Sequence, residues 1–423
     1  MKQTYPIQAL MSLIQDSPSC FHVISNITNQ LMEQGFIPLS EKEKWSLKPG
    51  KSYFVTRNHS SLIAFSIPEN GVQSYHIVAS HSDFPCFKVK ENPELTVENH
   101  YKKLNVEKYG GMLMAPWMDR PLSIAGRIFA DTSNGIVEKL VNINYDLVLI
   151  PNLAIHMNRE ANDGYKYNAQ KDMLPLFGDV SSDKSFMELL AAAAGVKQEQ
   201  ILGHDLFLYN RQKPALWGSD QEYLSAPHLD DSECVYGSLL GFLSGEKKKH
   251  TAVYCVFDNE EVGSSTKQGA ASSFLADTLW RICLSLNLSR EDYMIQLANS
   301  FMMSADNAHA VHPNHPDKSD PSNRPYLNEG IVLKFNGNQK YCTDGASAAY
   351  FRKLCKEHQI PYQTFANRSD MAGGSTLGNI ASTLVPLNAV DIGLPQLAMH
   401  SPYETVGVKD WTSFLNLCEV FYS

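Results

Sequence analysis

The chain has 423 residues, 43% of them hydrophobic, and its 36 lysines and arginines against 45 aspartates and glutamates give a formal net charge of -9. This acidic balance argues against nucleic acid or an anionic membrane as the main partner. No apolar run is long enough for a transmembrane helix, and the first residues lack a signal-peptide pattern, so we expect a cytoplasmic protein. The eight cysteines form no C-x-x-C pair, which predicts reduced thiols rather than disulfides or thiolate metal sites.

The first part of the chain predicts two helices and then short strands. Apolar side chains recur about every 3.6 residues over residues 7–34, in two pieces. Short strands are predicted between residues 52 and 66, next to turn-forming residues. A further strand over residues 75–80 runs directly into His81 and Asp83.

The middle of the chain has a different pattern. Short alternating runs separated by turn residues predict a mainly β insertion over residues 88–222. The insertion would divide a catalytic α/β domain into a first part, residues 1–87, and a second part, residues 223–423.

The last part of the chain alternates strands with helices. Strands are predicted over residues 251–257, 300–305 and 331–335, and helices over residues 269–286 and 346–358. This alternation predicts an α/β fold whose mixed sheet is covered by helices on both faces.

Two adjacent glutamates, Glu260 and Glu261, lie at the exit of the strand predicted over residues 251–257. A buried carboxylate needs a hydrogen bond, a partner charge or a metal, because burying its charge alone is costly. Neighbouring strand residues point to opposite faces, so one glutamate could bind a metal while the other faces a water. The same stretch fits equally well an acidic first helical turn capped by Asp258 or Asn259.

Five metal-ligand candidates each follow a predicted strand or lie in a short loop. They are His81, Asp230, Glu261, Asp306 and His400. In open α/β sheets, binding sites gather beyond the carboxyl ends of the strands. Two imidazoles and three carboxylates suit a pair of divalent zinc-like ions, with Asp230 as the natural bridge between them. Spacing alone leaves His309 open as an alternative to His81.

Two further carboxylates have predicted roles around this centre. Asp83 shares a face with His81 on an extended segment, so its carboxylate could fix the imidazole tautomer. Glu260 is predicted as the general base, which takes a proton from the attacking water and passes it to the leaving amine.

Seven segments resemble a known family, the aspartyl aminopeptidase-like metallopeptidases with two co-catalytic zinc ions. The segments are ASHSD at 79–83, IPNLAIHM at 150–157, LDD at 229–231, FDNEEVG at 257–263, SADNAHAVHPN at 304–314, RSDMAGGSTLG at 368–378 and PQLAMHS at 395–401. They span nearly the whole chain in the family's order, and the glycine-rich segment at 368–378 is similar to the bacterial branch.

The resemblance implies the same five metal ligands, Glu260 as base and Asp83 behind His81. It implies two divalent metal ions per subunit, Zn²⁺ first, with Co²⁺ or Mn²⁺ as alternatives. It also implies that the insertion is a dimerisation domain and that the chain forms a tetrahedral homododecamer. His156 would reach a neighbouring subunit's active site to help hold the substrate carbonyl, and Lys334 and Tyr341 would line the substrate pocket.

Two departures from the family pattern concern the choice of metal and the substrate specificity, respectively. Asp231 stands where an asparagine is common, which adds negative charge near the metals. Residues 371–374, with the sequence MAGG, replace the usual pattern of the aspartyl-specific eukaryotic members. Both an acidic and a broad or neutral preference for the N-terminal residue therefore remain open.

The sequence thus predicts a metalloaminopeptidase that removes the N-terminal residue from peptides. One alternative is a two-metal deacylase or amidohydrolase of N-acyl amino acids, which would not need a free α-amine on its substrate. The other is a shell-forming scaffold without activity, which would have no use for a base such as Glu260.

Overall fold

A computed structural model describes residues 6–423. Its helices are α1 (Ile7–Gln15), α2 (Cys20–Glu33), α3 (Ala169–Asp172), α4 (Phe186–Ala194), α5 (Leu229–Ser244), α6 (Phe274–Ser285), α7 (Arg290–Ala298), α8 (Gly345–His358), α9 (Leu377–Leu384) and α10 (Val408–Phe421). The first ten strands are β1 (Ile37–Leu39), β2 (Ser52–Arg57), β3 (Ser61–Ser66), β4 (Tyr75–His81), β5 (Cys86–Val97), β6 (Tyr101–Tyr109), β7 (Leu122–Thr132), β8 (Gly135–Asn142), β9 (Leu176–Asp179) and β10 (Ile201–Asn210). The later strands are β11 (Ala215–Trp217), β12 (Tyr223–Ala226), β13 (Thr251–Phe257), β14 (Phe301–Ala305), β15 (Ala308–His309), β16 (Ile331–Phe335), β17 (Tyr362–Ala366), β18 (Asn388–Gly393), β19 (Pro395–Leu397) and β20 (Glu404–Gly407).

The largest sheet is a mixed sheet with the strand order β1-β2-β3-β13-β4-β14-β18-β16-β17. At its centre, β4 runs parallel to both β13 and β14, with His81 opposite Phe257 and Ala79 opposite Ser304. Every residue of these three strands is buried. Such continuous apolar segments are typical of parallel strands that are covered on both faces.

Helices cover both faces of this sheet. On one face, α1, α2, α5, α8 and α10 contribute Leu10, Ile24, Leu239, Phe351 and Phe414 to one hydrophobic cluster. On the other face, α6, α7 and α9 pack through a second cluster that contains the buried side chains of Phe274, Leu297 and Leu377. The predicted α/β fold class is therefore confirmed.

The second sheet has the order β8-β7-β10-β5-β6-β9, and all its strands lie between Cys86 and Asn210. It has its own hydrophobic core, in which Phe87 packs edge-on against Trp117 with their ring centroids 5.3 Å apart. Helix α4 joins this core through Phe186 and Leu190. A mainly β unit thus overlaps the segment, residues 88–222, for which the sequence predicts an insertion, and its first strand begins two residues earlier, at Cys86.

A third sheet, with the order β11-β12-β20-β19-β15, is absent from the sequence-based interpretation. Its strands have two to four residues, too few to show an alternating pattern. Helix α7 is not predicted from the sequence either, because it has only nine residues and just three of them are buried. The helix predicted from residue 269 begins at Phe274, since Gly269 packs against the main chain of Ser264 in a turn.

The eight cysteines are free, and all but Cys342 are buried. Within residues 6–423, no helix is long and apolar enough to cross a membrane.

Candidate metal centre

The three central parallel strands bring four of the predicted site residues to one edge of the main sheet. His81 is the last residue of β4, and Asp306 directly follows β14. Glu260 and Glu261 lie in a short 3-10 turn, Glu260–Val262, that begins just after β13. Because β13, β4 and β14 are parallel neighbours, their carboxyl ends place these side chains together.

The other two predicted ligands come from different elements, and one buried glutamate holds both. Asp230 lies at the start of α5, and His400 lies in the loop between β19 and β20. Glu404, on β20 and 1% exposed, accepts hydrogen bonds from the main-chain N–H of Asp230 at 3.0 Å and of His400 at 2.7 Å. The third sheet therefore fixes the distance between these two residues.

Asp230 lies between the two histidines. Its Oδ1 is 3.5 Å from Nε2 of His81, and its Oδ2 is 3.6 Å from Nε2 of His400. Oε2 of Glu261 lies 3.4 Å from the same His400 nitrogen. Each oxygen of Asp230 thus faces a different imidazole, which is the geometry that a bridging carboxylate requires.

Three overlapping groups of side chains offer ligand atoms within 4.8 Å of one another. The groups are His81, Asp230, Asp231 and Asp306; His81, Glu260 and Glu261; and Asp230, Glu261 and His400. Among residues 6–423, the buried oxygens Asp230 Oδ1 and Asp231 Oδ1 have no hydrogen-bond partner. Because an unpartnered buried carboxylate oxygen is costly, a cation at this position would stabilise the site. Imidazole nitrogens with carboxylate oxygens form a donor set that fits zinc.

The charges of the site also favour a cation. Burial and the neighbouring carboxylates of Asp306, Asp83 and Asp230 raise the pKa of Glu260 to about 8, although His81 opposes the shift. Burial and the charge of Asp230 likewise raise the pKa of Glu261 well above its usual range. Carboxylates that resist ionisation in this way indicate an excess of negative charge, which divalent cations would balance.

The orientation of His81 leaves its Nε2 free for a ligand. Nδ1 lies 3.0 Å from the main-chain carbonyl oxygen of Asp83, which can only accept a hydrogen bond. Nδ1 therefore carries the proton in the neutral imidazole, and Nε2, which faces Asp230, has its lone pair available.

The carboxylate of Asp83 lies near the imidazole, with Oδ1 3.5 Å from His81 Nδ1. Its main partners are elsewhere. Oδ1 accepts the main-chain N–H of Glu260 at 3.0 Å, and Oδ2 accepts that of Glu261 at 3.2 Å. Asp83 thus supports the imidazole through its carbonyl group and the two glutamates through its carboxylate.

Asp231 supports the site from the other side of His81. Its side chain is buried, and its Oδ2 accepts the main-chain N–H of His81 at 3.0 Å. An asparagine oxygen could accept the same bond, so the aspartate found here changes the charge of the site and leaves this contact possible.

A cavity of about 160 Å³ opens beside these residues. Its lining includes His81, Asp230, Glu260, Glu261, Asp306 and His400 on one side, and Ala308, His309, Lys334, Tyr341, Met399 and residues 374–376 around it. The structure therefore places Lys334 and Tyr341 at the wall of the cavity beside the candidate ligands.

Lys334 has contacts that the sequence does not suggest. Its side chain is 2% exposed, and Nζ donates to the main-chain oxygens of Asp306 at 2.8 Å and of Asn307 at 3.2 Å. Nζ also lies 3.9 Å from Asp306 Oδ2 and 5.3 Å from the centre of the Tyr341 ring. This lysine holds the Asp306 loop and keeps one N–H for another partner.

Two further histidines considered from the sequence, His309 and His156, lie outside the groups that could hold a metal. His309 lines the cavity but belongs to none of the groups that could hold a metal, so the geometry favours His81 as the ligand. His156 lies in an exposed turn of the second sheet's domain and does not line the cavity. Its neighbours Leu153, Ile155 and Met157 are also exposed.

Sequence reasoning missed Glu404 as a supporting residue. The only signal is an acidic residue four positions after His400 beside an apolar strand, which is common in unrelated proteins. The hydrogen-bonding role of Lys334 could not be anticipated either, because it depends on main-chain oxygens of the loop between β14 and β15.

Comparisons with known proteins agree with this arrangement. The sequence profile of a family described as aminopeptidase I zinc metalloprotease (M18) matches residues 13–422. A probable M18 family aminopeptidase 2 from Clostridium acetobutylicum is 45% identical over 422 residues, which cover 98% of each chain.

Two solved structures are also similar over almost the whole chain. A chain of the Ape4 and Nbr1 complex has a TM-score of 0.94 and 33% identity, covering 98% of this chain and 85% of that one. The S. cerevisiae mApe1 dodecamer has a TM-score of 0.86 and 25% identity, covering 98% of this chain and 97% of that one.

Fold, site and similarity agree on the class of protein: this is an aminopeptidase, a hydrolase that removes residues from the N-termini of peptides. Within that class, the chain belongs to the M18 family of aminopeptidase I zinc metalloproteases. The family resemblance drawn from the sequence is confirmed.

Proposed function

We propose that the chain hydrolyses the first peptide bond of its substrates with two co-catalytic divalent ions, Zn²⁺ first and Co²⁺ or Mn²⁺ as alternatives. His81, Asp230 and Asp306 would hold one ion, and Asp230, Glu261 and His400 the other. The observation that carries this proposal is the position of Asp230, whose two carboxylate oxygens face the two imidazoles.

When bound, the ions supply Lewis-acid polarisation of the scissile carbonyl group and make a water molecule acidic enough to attack it. Glu260 lines the cavity and takes the proton from the attacking water. The same carboxyl group then gives that proton to the leaving amine. Asp83 keeps Glu260 in place through the main-chain hydrogen bond of 3.0 Å.

A free α-amine on the substrate separates this function from a deacylase of N-acyl amino acids. We expect release of aminocoumarin from Asp, Glu, Leu or Met derivatives, sensitive to chelator and restored by zinc, cobalt or manganese. The N-acetylated forms should remain intact. Hydrolysis of the N-acetylated forms would favour the deacylase, and no hydrolysis with any metal would favour a scaffold.

We further propose that the pocket accepts acidic or neutral first residues and disfavours basic ones. Lys334 supports this proposal, because it keeps one N–H for another partner and its positive charge lies at the cavity wall. A lysine side chain on the substrate would be repelled, whereas a carboxylate could accept the remaining N–H. The Lys derivative in the same panel tests this point.

The proposed assembly is a homododecamer of tetrahedral symmetry, in which residues 88–222 form the dimerisation domain and His156 reaches a neighbouring active site. The similarity to the mApe1 dodecamer supports this proposal. The exposed apolar turn around His156 also supports it, because Leu153, Ile155 and Met157 would be covered by a partner. The cytoplasm remains the proposed location.

Complementation tests the shared site. Subunits with His156→Ala and subunits with Glu260→Gln, each inactive alone, should regain part of their activity in mixed oligomers. The reason is that one active site can then combine an intact Glu260 with an intact His156 from its neighbour. An absence of rescue in verified mixed oligomers would contradict the role of His156.

A further inference from the structure

The second sheet contacts the candidate centre within the same chain. Its strand β6 ends at Tyr109, and the following residues run along the edge of the metal site. Gly110 packs so closely on Glu261 that a Cβ there would lie 3.2 Å from the Glu261 Cβ atom, and its φ of +77° suits glycine. Leu113 donates its main-chain N–H to the carbonyl oxygen of His400 at 3.1 Å.

The hydroxyl group of Tyr109 links Asp83 and Asn259, which both adjoin the 3-10 turn that carries Glu260 and Glu261. It donates to Oδ2 of Asp83 at 2.7 Å and accepts the side-chain N–H of Asn259 at 2.8 Å. The ring is held edge-on against Phe207 of the second sheet, with the centroids 5.6 Å apart. Tyr109 thus has a fixed position and uses its hydroxyl group as both donor and acceptor.

Both partners of Tyr109 control the turn that carries Glu260 and Glu261. The carboxylate of Asp83 accepts the main-chain N–H groups of both glutamates. Asn259 directly precedes Glu260 in a left-handed conformation with φ of 63°, and its side-chain oxygen accepts hydrogen bonds from Thr266 and Gln268. Without the Tyr109 hydroxyl group, the Asp83 carboxylate would lose one hydrogen-bond donor, and the side-chain N–H of Asn259 would lose its acceptor.

We propose that Tyr109 is a positioning residue through which the second sheet fixes the Glu260–Glu261 turn of its own subunit. This inference rests on the proposed function for the roles of the two glutamates. It gives the inserted region a task in catalysis that is separate from dimerisation. Tyr109 itself does not line the cavity beside the metal ligands, so it acts through Asp83 and Asn259.

The test is Tyr109→Phe, which removes only the hydroxyl group. We expect kcat to fall by about tenfold or more while KM stays within about twofold, and zinc affinity in chelator competition to fall by about tenfold, as for other outer partners of metal ligands. The matched control is Tyr209→Phe in strand β10, because the Tyr209 hydroxyl donates to Asn142 at 2.8 Å within the same sheet. The control should change neither quantity by more than about twofold.

A double-mutant cycle with Asn259→Gly separates positioning from a general structural effect. Glycine tolerates the left-handed conformation and removes the side chain that donates to Tyr109. If both residues act on the same turn, the double variant loses little more than the worse single variant. Multiplied losses, or equal losses in Tyr109→Phe and Tyr209→Phe, would overturn the proposal, as would an unchanged kcat and zinc affinity in Tyr109→Phe.

The zinc measurement keeps this inference distinct from the proposed function. If the wild-type protein binds zinc but hydrolyses none of the free-amine substrates, the proposed function fails. The effect of Tyr109→Phe on zinc affinity can still be measured in that case. Should Tyr109→Phe not assemble, Asn259→Gly alone must lower zinc affinity by about tenfold, or the proposal is wrong.

Discussion

Asp83 accepts the main-chain N–H of Glu260 in a hydrogen bond of 3.0 Å. The residue two positions after a candidate metal ligand therefore fixes the candidate base in the turn that follows the neighbouring strand. The bond joins the ends of β4 and β13, which lie side by side as parallel strands. It determines where the Glu260 side chain begins and hence which side of the cavity it can reach.

The role of Glu260 as base predicts the effect of Glu260→Gln. An amide cannot accept the proton from water, so we expect kcat to fall by about 10²-fold to 10⁴-fold. Zinc content and oligomer size should stay unchanged, because Glu260 is not among the proposed ligands. Glu291→Gln, at an exposed position in α7, is the control and should keep wild-type activity. Substantial peptidase activity in Glu260→Gln would show that another group is the base.

The contacts of Glu404 predict that changing this residue lowers the metal affinity and leaves the general base in place. In Glu404→Gln, the new amide group would point N–H against the main-chain N–H of either Asp230 or His400. We expect zinc affinity to fall by about 10-fold to 100-fold, the range found when partners of metal ligands are changed. Chelator competition measures this change. Activity at saturating zinc should recover more fully than in Glu260→Gln, and an unchanged affinity would contradict the role of Glu404.

The position of Lys334 predicts that changing it lowers activity on every substrate and lowers it most on substrates with an acidic first residue. Lys334→Met removes the donors to Asp306 and Asn307, so hydrolysis of every substrate should weaken. We expect kcat/KM for the Asp derivative to fall about tenfold more than that for the Leu derivative, the loss of one charge-assisted hydrogen bond. Lys353→Met on the exposed side of α8 is the control. Equal losses on both substrates would mean that Lys334 only supports Asp306.

The raised pKa of Glu260 predicts how zinc and pH together determine stability. Its pKa of about 8 in the folded chain exceeds the ~4.3 of an unfolded glutamate. The zinc-stripped folded state therefore binds more protons than the unfolded state, and its stability falls as the pH rises from about 4.3 to about 8. Zinc binds the deprotonated carboxylates around Glu260, so its stabilising effect should increase over the same range.

Melting temperatures with and without zinc at pH 6 and pH 8 check this expectation. The difference between the zinc-saturated and zinc-stripped protein should be larger at pH 8. In zinc-stripped Glu260→Gln, the fall in melting temperature between pH 6 and pH 8 should be smaller than in the wild type. A zinc effect that is the same at both pH values would contradict the assignment of excess negative charge to this site.

Much of the architecture follows from the sequence because long apolar strands leave a clear pattern. The strands β4, β13 and β14 are continuous buried runs, and sites in open α/β sheets gather beyond the carboxyl ends of such strands, so the residues at their ends are expected to lie close together. The third sheet could not be predicted, because strands of two to four residues carry no periodicity. The sequence makes His400 a candidate ligand, but the hydrogen bond that holds it to Glu404 on that sheet could not be predicted.

The supporting hydrogen bonds were the least predictable part of the site. The sequence predicts that the Asp83 carboxylate orients His81, and it gives no sign that the same carboxylate also accepts the main-chain N–H groups of Glu260 and Glu261. The contacts of Glu404 and Tyr109 also use main-chain groups or side chains that are far away in sequence. Sequence patterns indicate which side chains are buried or charged, whereas these pairings depend on the three-dimensional packing of loops.

The most direct test of the account is a zinc titration of the stripped protein, followed by hydrolysis of Leu-aminocoumarin and Asp-aminocoumarin and of their N-acetylated forms. The two-metal proposal predicts that activity on the free-amine substrates reaches its maximum at two zinc ions per chain and that the N-acetylated forms stay intact. Full activity at one zinc ion per chain, or hydrolysis of the N-acetylated forms, would contradict it.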